Sequence, residues 1–177
     1  MNFQLSSMAI AMPAVHGHPN REPFRGVLTL VDTPSDKPPA GSRGHRVILT
    51  RAAAERALPS LLGMALDYSP SFDRHDARRK IGVITRAEIT GKELELSGYL
   101  FAKDFPEIVQ QIDSGIIHAG GARRRMQNPL GMSYEISDAS VADVRAKIWT
   151  LTNVTFTGAA ILRRDKAAYR DTWIEME

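Results

Sequence analysis

The stretch IGVITRAEITGKELELSGYLF, residues 81–101, decides the fold class. Ile81, Val83, Ile84 and Ile89 precede Thr90-Gly91-Lys92, and Leu94, Leu96 and Tyr99 follow in near alternation. Apolar side chains at every second position line one face of a strand, and a glycine-bearing break between two such runs turns the chain back on itself. The pattern predicts an antiparallel hairpin. Upstream, Arg25–Val31 reads as a strand bounded by Pro23 and Thr33-Pro34-Ser35, and Pro34–Gly44 is too broken by proline and glycine for a regular element. A second apolar run, Arg46–Leu49, leads to Thr50, which can cap a helix over Ala52–Leu58 that Pro59 closes or kinks. Two short helical pieces are expected around Pro59.

Downstream of the hairpin, Phe105-Pro106-Glu107 opens a short helix, with Asp104 as its cap, Ile108, Val109 and Ile112 on one face, and Gly115 at its end. Residues 116–129 carry Gly120-Gly121 and Arg123-Arg124-Arg125 and read as an adaptable loop. Three β-like runs follow, Gly131–Ile136, Ser140–Val144 and Ile148–Leu162. In the last, Trp149, Leu151, Val154 and Phe156 keep no single parity, which predicts a bulge or burial on both faces. A helical turn is expected within Arg163–Thr172. The expected class is mainly β with flanking helices (α+β), as a barrel or curled sheet.

A chain of 177 residues buries a core without covalent staples, so a single domain is expected, with its core over about 20–170 and a flexible N-terminal segment over 1–19. The absence of cysteine excludes a disulfide scaffold, a thiolate zinc site and a cysteine nucleophile, and fits the cytoplasm. Apolar stretches such as Leu61–Leu66 and Ala159–Leu162 are far shorter than the roughly 20 residues that span a bilayer. No basic residue precedes Met8–Val15, a poor match to a secretory signal. Charge is near balance at +3. The basic clusters Arg78-Arg79-Lys80, Arg123-Arg124-Arg125 and Arg163-Arg164 read as solvated loop or strand ends, and no aromatic lies between Arg123 and Pro129 as a single-strand binder needs, so nucleic acid is not the expected partner.

Without cysteine, the nucleophile class that remains is a hydroxyl activated by histidine. Of the five histidines, His16 and His18 lie in a Pro/Gly-bearing segment, His45 follows a flexible loop and His118 sits among glycines. His75, in Asp73-Arg74-His75-Asp76, directly precedes the hairpin and is held by a rigid element. Ser133 follows Gly131-Met132, and the small residue two positions earlier allows close backbone approach. Glu135 stands where a Gly-x-Ser-x-Gly elbow needs glycine, and no strand-turn-helix context is predicted, so an α/β-hydrolase is not expected. His16, His18, Asp73, His75 and Asp76 have no metal-site spacing, and Gly120-Gly121 lacks the Gly-Lys-Ser/Thr ending of a phosphate loop, so neither metal nor cofactor is expected.

Taken in order, these features resemble the prohead (capsid-maturation) serine proteases of tailed phages, relatives of the herpesvirus assemblins. A histidine precedes Ile81-Gly82-Val83-Ile84, and a hairpin ends in Ser97-Gly98-Tyr99-Leu100. The Phe105-Pro106-Glu107 helix, the serine of Gly131-Met132-Ser133-Tyr134-Glu135 and a final apolar strand follow, over roughly residues 20–170. The resemblance implies a closed or curled antiparallel β-barrel with helices around it, and an acyl-transfer endopeptidase with Ser133 as nucleophile and His75 as base. It places Asn153, in Asn153-Val154-Thr155-Phe156-Thr157, where the family has an orienting carboxylate. An amide orients an imidazole without offsetting its charge, so the third member is Asn153, an acid from elsewhere such as Asp76 or Asp138, or absent. An arginine of the 123–125 triplet could brace the oxyanion. Implied substrates are scaffold and capsid proteins and the protease itself, in the host cytoplasm inside the assembling prohead, with a homo-oligomer possible. The alternative is a weak or inactive capsid-assembly component that keeps the fold.

Overall fold

A computed structural model of the protein describes residues 17–114, 117–119, 122–124 and 129–177, the two three-residue segments by backbone alone. The expectations on Met1–Val15, His16, Gly115, Gly120-Gly121 and Arg125, and on the side chains of His118, Arg123 and Arg124, lie outside the described residues.

Among the described residues the fold is mainly β with two short α-helices. The hairpin is present as β4 (Lys80–Thr90) and β5 (Glu93–Leu100), turning at Gly91, whose φ of 59° suits a residue without a Cβ. β1 (Glu22–Leu30) adds antiparallel to β5, and it starts before Pro23, not after it. The Pro23 carbonyl accepts from Glu177 N–H (2.9 Å), so the missing proline donor faces the side where β10 (Trp173–Met176) runs out. β10 follows the polar tail Arg163–Thr172, where Ala167 N–H donates to Arg163 O (3.1 Å) in a single turn.

β2 (Arg46–Leu49) is followed by α1 (Arg51–Ala57), capped by Thr50, whose Oγ accepts Ala53 N–H at 3.3 Å. A 3-10 turn over Leu58–Leu61 then contains Pro59. Next comes a strand absent from the expectations, β3 (Ala65–Tyr68). α2 (Pro106–Ser114) buries Ile108 and Ile112, while Asp104, the expected cap, accepts the Asn20 amide at 2.8 Å. β6 (Ile117–Ala119) and β7 (Ala122–Arg124) form a separate two-stranded ladder.

The run Gly131–Ile136 and the first two residues of Ser140–Val144 are one strand, β8 (Leu130–Val141), carried through by register shifts near Glu135 and Asp138, the latter at φ 51°. β8 pairs with β9 (Ile148–Arg163), which is buried on both faces from Ala159 to Leu162. β9 is the organising strand. β2 and β3 pair with it in parallel, and β8 pairs with it antiparallel along its other edge.

The strand path is β10-β1-β5-β4-β3-β9-β2, with β8 branching from β9. Two expectations are corrected here. The sheet is mixed, not antiparallel, because β9 runs in the same direction as β2 and β3. It is also not a closed barrel: two isolated bridges, Val31 to Leu49 and Pro34 to Ile48, bring the chain after β1 beside β2, but among the described residues no ladder joins the ends. The core on one side of the sheet includes Phe24, Leu28, Leu66, Ile84, Leu100, Met132 and Phe156.

Candidate functional site

Register across β8, β9 and β3 builds the site. Ser133 is opposite Ala160, and Ala160 is opposite Asp67. Directly opposed residues project from the same face, so Ser133, Ala160 and Asp67 form a row, with about 10 Å between its outer members at roughly 4.8 Å per strand. Their neighbours Met132, Ala159, Ile161 and Leu66 belong to the hydrophobic core on the other face. The Ala160 methyl leaves the middle of the row low enough for a ring to lie across it. One step along, Glu135 is opposite Gly158, where a Cβ would come within 2.8 Å of Glu135 Oε2. Small residues on β9 thus make room for side chains reaching over it from either flank.

The ring is that of His75, brought back over the sheet by the loop after β3. Ser69 and Ser71 hydroxyls both donate to Asp73 Oδ1 (2.9 and 2.7 Å), and Asp73 N–H donates to Ser69 Oγ. Phe72, with φ 51° and a buried ring, is tied to the end of β9 by Arg163 N–H on its carbonyl (2.8 Å). On the other side of His75, Asp76 N–H donates to Asp67 Oδ1 at 2.9 Å. The histidine is held between two fixed points.

His75 Nδ1 lies 3.6 Å from Asp67 Oδ2 and 3.9 Å from Glu135 Oε1. Both distances exceed a hydrogen bond, and both ring nitrogens are buried with no hydrogen-bond partner. Asp67 is 1% exposed, and Lys80 Nζ is 4.0 Å from its Oδ2. A buried carboxylate behind one imidazole nitrogen favours the charged ring electrostatically, and would fix its tautomer only on closing to hydrogen-bond distance. His75, Ser133 and Glu135 line one cavity of about 770 Å³, which extends along β8.

Asn153 does not join this group. It is exposed, opposite Ser140, roughly 20 Å along β9 from Ala160, and its amide donates to Asp138 O at 3.1 Å. Asp138 is also exposed and accepts the Ser137 hydroxyl. Asp76 turns its carboxylate to Arg78 and Arg79, and only its N–H serves the site. Of the other histidines, His18 accepts Asn20 N–H and His45 stacks on Trp149 with ring centroids 4.5 Å apart. Among the described residues no three histidine or carboxylate side chains gather as a metal site. Tyr134, next to Ser133, packs edge-on against Phe156, and burial pushes its hydroxyl up to about 12, so it stays protonated at neutral pH.

The residue missed from sequence is Asp67. Its signal was a lone charge inside the short apolar run Met64-Ala65-Leu66-Asp67-Tyr68, a costly place for a carboxylate without a partner.

Hydrogen bonds from Ser71 and then Ser69 hold the Asp73 carboxyl below its ordinary value of 3.8. A lowered folded value makes the turn's contribution fully present above pH 3.8 and lost as pH falls through that lowered value. Protection of the loop amides in hydrogen exchange is therefore expected to persist down to about pH 3.8 and to decline below it. Asp73→Asn is expected to speed trypsin cleavage after the exposed Arg74 about three- to tenfold at pH 8, because the opened loop is the species cut.

Neither protein-family models nor curated proteins provide a match to this chain.

Proposed function

We propose that the chain is a serine endopeptidase of the prohead-maturation type. The observation that carries this reading is that Ser133 and His75, far apart in sequence, line one cavity with the Asp67 carboxylate behind the imidazole. Ser133 Oγ attacks the scissile carbonyl while His75 takes its proton. The imidazolium, oriented by Asp67, then protonates the leaving amine, and water admitted to the cavity releases the acyl group by the reverse proton path. Asp67 is a positioning residue in this scheme, in the role first considered for Asn153. The substrates in this reading are scaffold and capsid proteins and the chain itself, processed in the host cytoplasm inside the assembling shell. Confinement there raises the effective substrate concentration, so modest turnover suffices. Among the described residues no helix is long and apolar enough to cross a membrane.

A second reading, a capsid-assembly component without turnover, is favoured by the lack of any hydrogen-bond partner on the His75 ring nitrogens. A fluorophosphonate probe separates the two. The wild type is expected to gain one adduct, mapped to Ser133 by mass spectrometry, and Ser133→Ala none. Co-expression with the cognate capsid and scaffold proteins should show processing by the wild type alone. A wild-type chain that neither labels nor processes would leave the assembly-component reading standing.

A further inference from the structure

Charge is distributed unevenly about the Ser133–His75 pair. The cavity they share is lined by three cations, Lys37, Arg74 and Lys166, and by two carboxylates, Asp73 and Glu135. Backbone hydrogen bonds draw the cations to one end of it. Phe72 O accepts Arg163 N–H at 2.8 Å, which ties the loop bearing Arg74 to the end of β9, and Arg163 O in turn accepts Lys166 N–H at 2.8 Å. Lys37 comes to the same place from the segment after β1: Ala168 O accepts Asp36 N–H at 2.9 Å, and Lys37 Nζ donates to Asp165 O. In the β8–β9 ladder this end lies beyond Gly131, opposite Leu162, whereas Glu135 is opposite Gly158 on the other side of Ser133.

The carboxylates at the cationic end have partners of their own. Asp165 is held by Arg163 through two bonds, 2.9 and 2.6 Å, and Asp73 accepts the hydroxyls of Ser69 and Ser71 on its own loop. Asp36 accepts Arg170 N–H at 2.7 Å. Arg74 and Lys166 act on Asp73 and Asp165 only from beyond ion-pair distance. Among the described residues none of Lys37, Arg74 and Lys166 forms an ion pair. The carbonyl that meets Lys37 satisfies a donor without cancelling the charge.

We infer that this end of the cavity selects an acidic side chain, Asp or Glu, close to the scissile bond of the peptide cleaved at Ser133. The inference rests on the peptidase reading and names its substrate class. A carboxylate entering there meets three positive charges and displaces no ion pair, while a Lys or Arg is repelled. A cleft lined by one sign of charge focuses its field, and added salt weakens it. One exposed pairing contributes little, so the discrimination comes from the three cations together.

The test uses the full chain and a tryptic digest of a bacterial lysate with blocked amino termini, new termini being read by mass spectrometry. Wild-type cleavage is expected to enrich Asp or Glu at one position within about three residues of the cut, always on the same side of it. On the best peptide, changing that residue to Gln is expected to lower kcat/KM about tenfold and changing it to Lys to lower it further, with the preference fading as salt rises. In the double variant Arg74→Glu, Lys166→Glu the order is expected to invert, Lys being cut faster than Glu. A gain on the Lys peptide cannot come from a damaged fold, which lowers every rate. The neutral pair Arg74→Gln, Lys166→Gln is expected to erase the preference in either direction. Ser133-dependent cleavage without acidic enrichment, or with a preference for Glu that neither double variant alters, overturns the inference and leaves the peptidase reading intact. No Ser133-dependent cleavage of any peptide overturns the peptidase reading, and the inference falls with it.

Discussion

In Asp67→Asn, kcat for peptide cleavage is expected to fall about 10³- to 10⁴-fold with little change in KM, the size of loss that follows when a triad carboxylate becomes an amide. The carboxylate is buried, and one of its oxygens faces His75 Nδ1 at 3.6 Å. An amide in its place either turns its NH2 toward the ring, which demands the wrong tautomer, or turns its oxygen there and supplies no charge to balance the imidazolium. Its remaining carbonyl can still accept Asp76 N–H in the first case, so the loop is expected to survive and the melting temperature to shift only slightly. Stopped-time assays with an internally quenched peptide, together with the fluorophosphonate labelling rate, check this. Asn153→Ala is the control, expected to retain activity within about twofold because its amide serves Asp138 far from the pair. If Asp67→Asn lost less than tenfold, the second carboxylate near Nδ1, that of Glu135, would be the one orienting the ring.

The largest loss of stability is expected at Phe156→Ala, about 3–5 kcal/mol, from truncation of a fully buried aromatic. Phe156 is 2% exposed, its N–H is held by Ser60 Oγ at 3.0 Å, and its ring meets Tyr134 edge-on at 5.5 Å. The cavity left behind lies between the 3-10 turn and the strand that carries Ser133. Little near it is free to collapse inward, since Ser60 is fixed by its own bond to Ala57 O. Domains are stable by about 5–15 kcal/mol, so about a fifth or more of the stability goes, and melting should drop by roughly 10 °C. Urea denaturation with an unchanged m-value checks this, and a loss below about 1 kcal/mol would show that the ring contributes little to the packing.

The elements visible from sequence were those whose stability is local. The β4–β5 hairpin has its alternation and its Gly91 turn within one window, and the Thr50 cap and Pro59 bracket α1 within ten residues. Ser133 and His75 were each singled out beside a recognisable strand, and the structure brings both to one cavity. Elements determined by distant partners were not visible. β3 is four residues long, with a carboxylate in it, and exists because β4 and β9 pair with it from either side. β10 has only Trp173-Ile174-Glu175-Met176 to announce it, and the Arg25 guanidinium on Glu175 at 2.6 Å makes a buried acid tolerable there. Asn153 was selected by its position in a pattern, but register decides which face and which end of β9 a residue occupies. A carboxylate opposite Ala160 therefore takes the place beside His75, and an amide opposite Ser140 does not.

The central place of β9 also sets an order of events during synthesis. His75 and Ser133 leave the ribosome before residues 148–163, yet the row that aligns them has Ala160 as its middle member. Until that strand threads between β3 and β8, the nascent chain carries Ser133 and His75 with nothing to bring them to a common surface. The hairpin, with low sequence separation, can form early, while the β3–β9 and β8–β9 ladders complete late. On the peptidase reading proposed above, a translating chain is in this way kept from cutting itself or its neighbours until residues 148–163 have been made.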